Sequence, residues 1–172
     1  MSSKYYVVLN VGNASAIFIH YMGKKKFPKK SYLKNVKLPY ILLADDILDH
    51  RNSFVTVFEK QIAYATVSAV DDGQSLLAFL AHCGWRDLPS MIILKYQLRD
   101  ITAPDLLREL LLDTRYMKIP KLIWSITGAQ KEMEECRILG VKHFYKTPDG
   151  IFELESHTRQ IDALLKAELH LI

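Results

Sequence analysis

The chain has 172 residues, 49% of them hydrophobic and 24% charged, which is ordinary for a globular protein and long enough for one complete core. Its formal charge of +4 is uneven, because residues 1–38 carry eight lysines and no acidic residue. The remainder then has 15 basic against 19 acidic residues, a net charge of −4. The basic character therefore belongs to an N-terminal extension rather than to the domain that follows it, and we place the boundary between 1–38 and 39–172.

The extension predicts two strands and a basic arm. Tyr5–Leu9 and Ala16–Tyr21 are apolar runs joined by the turn-rich residues 11–15, where Gly and Asn tolerate positive φ, so we expect a β-hairpin. The lysine-rich segment 23–30 that follows suits contact with nucleic acid or anionic lipid, but such a run is more often a solvated arm. We therefore expect a solvated arm first, and a regulator that contacts nucleic acid through this arm stays an alternative function.

Neither the cysteines nor the ends of the chain point to secretion or a membrane. Cys83 and Cys136 are far apart and lack metal-ligand spacing, which favours two free thiols in a reducing cytoplasm. The apolar stretch 5–21 is interrupted by polar residues and precedes, rather than follows, its positive cluster. We expect a cytoplasmic protein without membrane attachment.

From residue 40 onward, strand-like and helix-like patterns alternate five times. The predicted strands are 40–44, 65–70, 90–94, 121–125 and 141–146. The predicted helices are 47–62, 74–82, 104–113, 130–139 and 151–169, with Pro104 as a start signal, Gly140 as a stop signal and Ile151, Leu154 and Ile161 on the apolar face of the last helix. This alternation predicts an α/β domain, a doubly wound five-stranded parallel sheet covered by helices on both faces.

Polar residues follow the first and third of these strands at the same edge of the sheet. Asp45 and Asp46 end the apolar run 40–44, and Lys95 ends the third run. The carboxyl ends of parallel strands form the ligand crevice of open α/β sheets. The sequence therefore predicts a crevice that contains two carboxylates and an ammonium group.

With these elements placed, residues 39–169 resemble the receiver domain of two-component response regulators, the CheY-like, flavodoxin-like family. The Asp45-Asp46 pair resembles the family's magnesium-binding acids, and residues 95–100 lie where the family has its phospho-acceptor loop. The strand ending in Ser125 resembles the one that carries the switch hydroxyl, and the stretch from Gly140 to Pro148 resembles the one with the switch aromatic, here Phe144. Together, in this order over about 130 residues, the motifs indicate the fold.

The same resemblance identifies two departures. The family's phospho-acceptor aspartate is replaced by Lys95, and alignment without a gap puts Thr147 at the family's lysine position, with Lys146 one residue early. A one-residue shift on a strand turns a side chain to the other face, so Lys146 is expected to miss the pocket unless a one-residue adjustment restores it. Arg99 and Ala103 also replace a proline and a glycine of the acceptor loop.

Aspartyl phosphorylation needs a carboxylate nucleophile and a divalent cation that neutralises crowded charge. Asp45, Asp46 and Lys95 together carry −1, and the ammonium takes the space that the metal needs. We predict that Lys95 bonds directly to Asp45 or Asp46, that neither Mg²⁺ nor another cofactor is bound, and that the protein is not an enzyme. Neighbouring carboxylates favour the protonated ammonium, so Lys95 is also expected to be a poor nucleophile.

The predicted function is that of a pseudo-receiver, which resembles bacterial two-component signalling proteins but acts through protein contacts without aspartyl phosphorylation. The resemblance implies a signalling partner, such as a histidine kinase or another regulator, at the surface of the fourth helix, fifth strand and fifth helix. No output domain is recognisable after residue 169, so we expect output through a partner, through a homodimer or through the extension.

Three other interpretations stay open at this point. Phosphorylation could use a non-standard acceptor, namely Asp46, Asp49 or Asp100. The acid pair could merely cap the following helix, with Lys95 present only to neutralise buried acids. Ser125 and Phe144, taken singly, are most often a locally bonded hydroxyl and a core residue.

Overall fold

The computed structural model describes residues 38–169 and, for the backbone alone, residues 5–11 and 14–20. Strands β1 (Tyr5–Val11) and β2 (Ala14–His20) pair antiparallel, with Tyr5 opposite His20 and Val11 opposite Ala14. This pair is the predicted hairpin. The first strand ends at residue 11 and the second begins at residue 14, whereas the sequence predicted residues 9 and 16. The lysine-rich segment 23–30 lies outside the described residues, so its role and the domain boundary near residue 38 stay predictions.

The main sheet has five parallel strands in the order β4-β3-β5-β6-β7. Its strands are β3 (Tyr40–Ala44), β4 (Thr66–Val70), β5 (Met91–Lys95), β6 (Lys121–Ser125) and β7 (His143–Lys146). Every residue of β3 and β5 is buried, as expected for central strands with helices on both faces. The predicted α/β fold, a doubly wound five-stranded parallel sheet, is confirmed.

In the part of the chain that the structure describes, six α-helices flank the sheet. They are α1 (Leu48–Gln61), α2 (Gly73–His82), α3 (Ala103–Leu111), the short α4 (Thr114–Met117), α5 (Gln130–Ile138) and α6 (Ile151–Glu168). Alternate residues of each strand face opposite layers, because the side-chain period of a strand is two. Leu42 and Leu94 therefore pack with α2 and α3 in one core, and Leu43 and Ile93 pack with α1 and α6 in the other.

Some predicted boundaries were wrong for local reasons. β7 begins at His143 rather than at residue 141, because the Val141 N–H bonds to Cys136 O in the turn that ends α5. Gly140 adopts φ +88° in that turn, which confirms it as the stop signal. The unpredicted α4 starts where the Asp113 side chain accepts a bond from the Arg115 N–H. Ile151 was predicted on the apolar face of the last helix but is half exposed at its first position.

Within the described part of the chain, none of the helices combines the length and apolarity that a membrane crossing requires.

Candidate functional site

The candidate site lies where β3 and β5 end side by side. Ala44 is paired with Leu94, so Asp45, which follows β3, and Lys95, which ends β5, are neighbours at the carboxyl edge of the sheet. Both side chains are buried, at 1% and 7% exposure of the whole residue. The two charged groups that the sequence predicted at this edge of the sheet are therefore neighbours, and both are buried.

Lys95 forms the central ion pair of the crevice. Its ammonium Nζ donates to Asp46 Oδ1 at 2.5 Å and lies 4.0 Å from Asp45 Oδ1. The direct bond from Lys95 to the acid pair is thus confirmed, with Asp46 as the partner. The Asp46 side chain keeps 22% exposure, whereas that of Lys95 keeps 8%, so Asp46 is the more accessible member of a largely buried pair.

Asp45 is held by the start of α1 instead. Its Oδ1 accepts the Ile47 N–H at 2.8 Å, its Oδ2 lies 3.2 Å from His50 Nδ1, and its backbone carbonyl accepts a bond from Arg51 at 2.5 Å. The interpretation of the acid pair as a helix cap is not borne out for Asp45, because it bonds the N–H of Ile47, the residue that precedes α1, and not one of the helix's own N–H groups. His50 was missed by the sequence analysis; its position in the first turn after the acid pair was the available signal.

The donor chemistry of this crevice does not fit the magnesium ion that the resemblance implies. Mg²⁺ needs several oxygen ligands in near-octahedral geometry, but Asp46 already faces the Lys95 ammonium, and Asp45 faces His50 and a backbone N–H. Among the residues that the structure describes, no group of three or more His, Cys, Asp or Glu side chains is arranged to hold a metal ion.

The loop after β5, residues 96–102, is fixed to the N-terminus of α2. Arg99 donates to Asp72 at 2.5 Å, and the two carboxylate oxygens of Asp100 accept the N–H groups of Gly73 and Gln74, each at 3.0 Å. Bonds from Ser75 and from Arg99 lower the pKa of Asp72 to about 2. Asp100 thus acts as a helix cap, which satisfies two of the unpaired donors at the start of α2.

Ser125 is buried at the end of β6 and its hydroxyl is bonded locally. It donates to Glu132 in the first turn of α5 and accepts the Gly128 N–H at 3.1 Å. Ser125 and Lys95 are therefore not brought together by a hydrogen bond in the described part of the chain, although both lie at the same edge of the sheet. The switch role of Ser125 stays a prediction.

A second carboxylate of α5 is also used internally. Glu135 accepts a hydrogen bond from the Tyr96 hydroxyl at 2.6 Å, and burial together with this bond raises the pKa of Tyr96. Phe144 is half-buried and packs against the core under α2 and α3. Its structural interpretation as a core residue is consistent with this position, and its switch role is untested.

The end of β7 places Lys146 and Thr147 in different environments. Lys146 ends β7 opposite Ser125 and is exposed, whereas Thr147 is half-buried and its N–H donates to Ser125 O at 2.8 Å. The hydroxyl of Thr147 is buried without a hydrogen-bond partner among the described residues. Thr147, the residue after β7, therefore has a buried hydroxyl while Lys146 stays exposed, and which of the two corresponds to the family's lysine stays a prediction.

Comparisons with known proteins identify the fold. No protein-family model and no curated protein matches the chain. Among solved structures it resembles the phosphorylated cyanobacterial phytochrome response regulator RcpA, with a TM-score of 0.67 and 18% identity over 75% of this chain and 94% of that one. It also resembles a two-component response regulator of Legionella pneumophila (TM-score 0.64, 18% identity, 75% and 98% covered) and the chemotaxis regulator CheY4 of Vibrio cholerae (0.61, 17%, 73% and 99%). At these identities the likeness concerns the fold, and the chain has the CheY-like receiver fold.

Proposed function

We propose that the protein is a pseudo-receiver, a receiver-like signalling domain that works through protein contacts without aspartyl phosphorylation. The observation that carries the proposal is the position of Lys95. It ends the central strand β5, where the resemblance expects the acceptor aspartate, and its ammonium bonds to Asp46 at 2.5 Å.

The charges of the crevice support this proposal. A phosphoryl group arrives with several negative charges, so its transfer to a carboxylate needs a cation free to contact both partners. In this crevice the Lys95 ammonium is bonded to Asp46, and no other carboxylate stands in its place at the end of β5. The carboxylates of Asp45 and Asp46 repel an incoming phosphoryl donor, and the Lys95 ammonium is not a nucleophile.

The alternative acceptors are not equally suited. Asp46 is committed to the ion pair, and both oxygens of Asp100 accept backbone N–H groups of α2. Asp49 is exposed in the first turn of α1 and is the acceptor that these contacts leave most accessible. A phosphorylatable regulator that uses Asp49 is therefore the second candidate function.

The proposal is tested by incubating the full chain with acetyl phosphate and Mg²⁺ and measuring its intact mass. We expect no phosphoryl adduct on the natural sequence. Lys95→Asp restores a carboxylate and removes the ammonium, so we expect Mg²⁺ binding and phosphoryl uptake to appear. Lys95→Asn is the matched control, because it removes the same charge without supplying a nucleophile, and it should stay unmodified.

The position of Thr147 sharpens the test. If the missing lysine also matters, Lys95→Asp will bind Mg²⁺ but take up phosphoryl slowly, and adding Thr147→Lys should increase the rate. A stable adduct on the natural sequence would overturn the proposal, and Asp46→Asn, Asp49→Asn and Asp100→Asn would then locate the acceptor. Absence of Mg²⁺ binding in both substituted proteins would mean that the pocket differs from a receiver at further positions.

Output through protein contact is part of the same proposal. On and beside α5, β7 and α6, the surface that the resemblance associates with partners, Ile126, Ile138 and Phe152 are exposed apolar side chains. A histidine kinase, another regulator or a second copy of the chain are the partner classes to test, and size measurement of the purified chain by light scattering separates the last from the others.

A further inference from the structure

The large apolar side chains that stay exposed lie at the two edges of the main sheet. Among the described residues there are eleven of them, and each lies in a connecting segment or in the helical residues next to one. Because the five strands are parallel, every segment before a strand lies at one edge of the sheet and every segment after a strand at the other. Contiguous apolar patches on a protein surface mark interaction sites. The two edges are therefore the surfaces to consider for a partner.

The amino edge is basic. It comprises 38–40 before β3 and, before the other strands, the segments from the last two residues of the preceding helix (α3 for β6) to the first residue of the strand: 60–66, 81–91, 110–121 and 137–143. These segments contain seven basic against two acidic residues, a net charge of +5 with histidine neutral. Their most exposed apolar side chains are Leu112 at 82%, Ile138 at 77% and Trp85 at 70%. Arg115 donates to Cys83 O at 3.4 Å, so the segments that carry Leu112 and Trp85 are in contact.

The carboxyl edge is acidic. It comprises the segments after the strands, each from the last residue of the strand to the second residue of the following helix: 44–49, 70–74, 95–104, 125–131 and 146–152. These segments contain four basic against seven acidic residues, a net charge of −3. Phe152 is 85% exposed, and Leu48 and Ile126 are each 59% exposed. His50 and Ile151 line the same crevice, so the starts of α1 and α6, which carry Leu48 and Phe152, are neighbours.

We propose that the amino edge of one copy binds the carboxyl edge of a second copy, so that the chains associate head to tail. Opposite net charges attract the two edges, whereas two amino edges or two carboxyl edges repel each other. Contact removes the exposed apolar side chains of both edges from water, which supplies favourable free energy. Such an interface is heterologous, because each copy uses a different surface, and each end of the assembly keeps one free edge for a further copy.

Two features of the chain fit this arrangement. Residues 1–37, with eight lysines and no acidic residue, are joined to the domain at the amino edge and add charge of the same sign. The carboxyl edge contains the Lys95–Asp46 pair, and a second copy would cover the Asp46 side chain, which keeps 22% exposure in the single chain. The inference names a second copy as the partner in the protein contact of the proposed function, and in that respect it rests on that function.

Sedimentation velocity of the full chain tests the inference. At low salt we expect the mean mass to rise with protein concentration from that of the monomer, 19.8 kDa, to beyond that of a dimer, because a heterologous contact leaves an edge free for the next copy. High salt should reduce the association, since it screens the charges of exposed groups.

Two variants each alter one edge. Leu112→Ser with Lys118→Glu removes apolar surface and positive charge from the amino edge, and Phe152→Ser with Asp149→Lys removes apolar surface and negative charge from the carboxyl edge. All four side chains are exposed. Each variant alone should associate at least about ten-fold more weakly than the natural sequence, the loss expected for an anchor residue of an interface. A one-to-one mixture should form a dimer and grow no further, because it contains one intact edge of each kind per pair of chains.

Arg159→Glu is the matched control. It makes the same charge reversal as Lys118→Glu, but in the middle of α6, where the side chain is exposed between the two edges. It should leave the association unchanged. A loss as large as that of the edge variants would overturn the inference, because the effect would then follow from net charge and not from the edges.

The inference is also overturned if the natural sequence stays monomeric at low salt up to high micromolar concentration, or if either edge variant associates as tightly as the natural sequence. A mixture of the edge variants that stays monomeric, while circular dichroism shows both to be folded, has the same consequence. So does an assembly of the natural sequence that stops at a dimer, because it indicates two identical surfaces. The acetyl phosphate experiment, run at a concentration where the chain is monomeric, reports on Lys95 alone, so each proposal can fail without the other.

Discussion

Replacement of Lys95 by methionine tests how much the buried ion pair contributes to the fold. Methionine keeps the length of the side chain but leaves Asp46 without its ammonium and removes the more distant charge 4.0 Å from Asp45. Removing one partner of a buried pair costs about 3–5 kcal/mol, because the remaining charge stays desolvated. Since the Asp46 side chain keeps 22% exposure, we expect the lower end, about 3 kcal/mol. In a domain of this size that lowers Tm by about 6–12 °C.

The assay is urea unfolding of the full chain at pH 7, followed by circular dichroism. Asp46→Asn alone should cost less than Lys95→Met, because Lys95 still lies near Asp45. In the double variant Lys95→Met with Asp46→Asn, the loss of unfolding free energy should be smaller than the sum of the two single losses by about 1.5 kcal/mol. Coupling of this size is expected of groups in direct contact.

Arg108 provides a matched control at the surface. Its ion pair with Asp105 is equally short, 2.6 Å, but both side chains are more than half exposed. Arg108→Met should therefore cost only about 0–1 kcal/mol. If Lys95→Met is no more costly than Arg108→Met, or if the costs of Lys95→Met and Asp46→Asn simply add, the ion pair does not hold the crevice together and the reasoning fails.

Two further predictions concern packing and pH. Gly73→Ala should lower the free energy of unfolding in urea by about 1–3 kcal/mol, because the new Cβ would lie 2.3 Å from Ile101 Cγ2. Gly84→Ala is the control, since the nearest atom to its new Cβ is a carboxylate oxygen of Asp87 at 3.2 Å. A smaller loss in Gly73→Ala than in Gly84→Ala would contradict this prediction. Burial lowers the pKa of Lys121 from 10.5 to about 8. Between these two pH values the unfolded chain keeps the Lys121 proton and the folded protein has released it. The free energy of unfolding should therefore rise as the pH increases from about 8 toward 10.5. Urea unfolding at pH 7.5 and 9.0 should show this rise relative to Lys121→Met, whereas identical pH dependence of the two proteins would refute it.

The sequence predicted those parts of the fold that depend on periodicity. Every residue of 40–44 and of 91–95 is buried, as apolar runs in central strands should be. The contact from Lys95 to the acid pair was also predictable, because the ends of two parallel strands meet and opposite charges there must pair. The choice of Asp46 over Asp45 was not, since it depends on how the chain turns into α1 and offers its N–H to Asp45.

Contacts that depend on loop geometry escaped prediction. Glu132 bonds Ser125 across the loop between β6 and α5, in which Gly128 adopts φ +60°. The pairing of His50 with Asp45 likewise requires the first turn of α1 to fold back over the end of β3. Such contacts join residues five or seven positions apart through a specific turn, and hydrophobic patterns contain no information about that turn.

Three side-chain hydrogen bonds at the carboxyl edge of the sheet lie in three different loops and share no partner. Lys95 binds Asp46 after β3, Asp100 binds the start of α2, and Ser125 binds Glu132 at the start of α5. Because independent contacts contribute additively, replacing Lys95 changes the first and leaves the other two in place. Lys95→Asp therefore addresses the chemistry of phosphoryl uptake, while any movement of Ser125 toward a phosphoryl group still requires breaking a charge-assisted hydrogen bond. Chemistry and conformational response are thus separable in this fold, and recovery of the first does not imply recovery of the second.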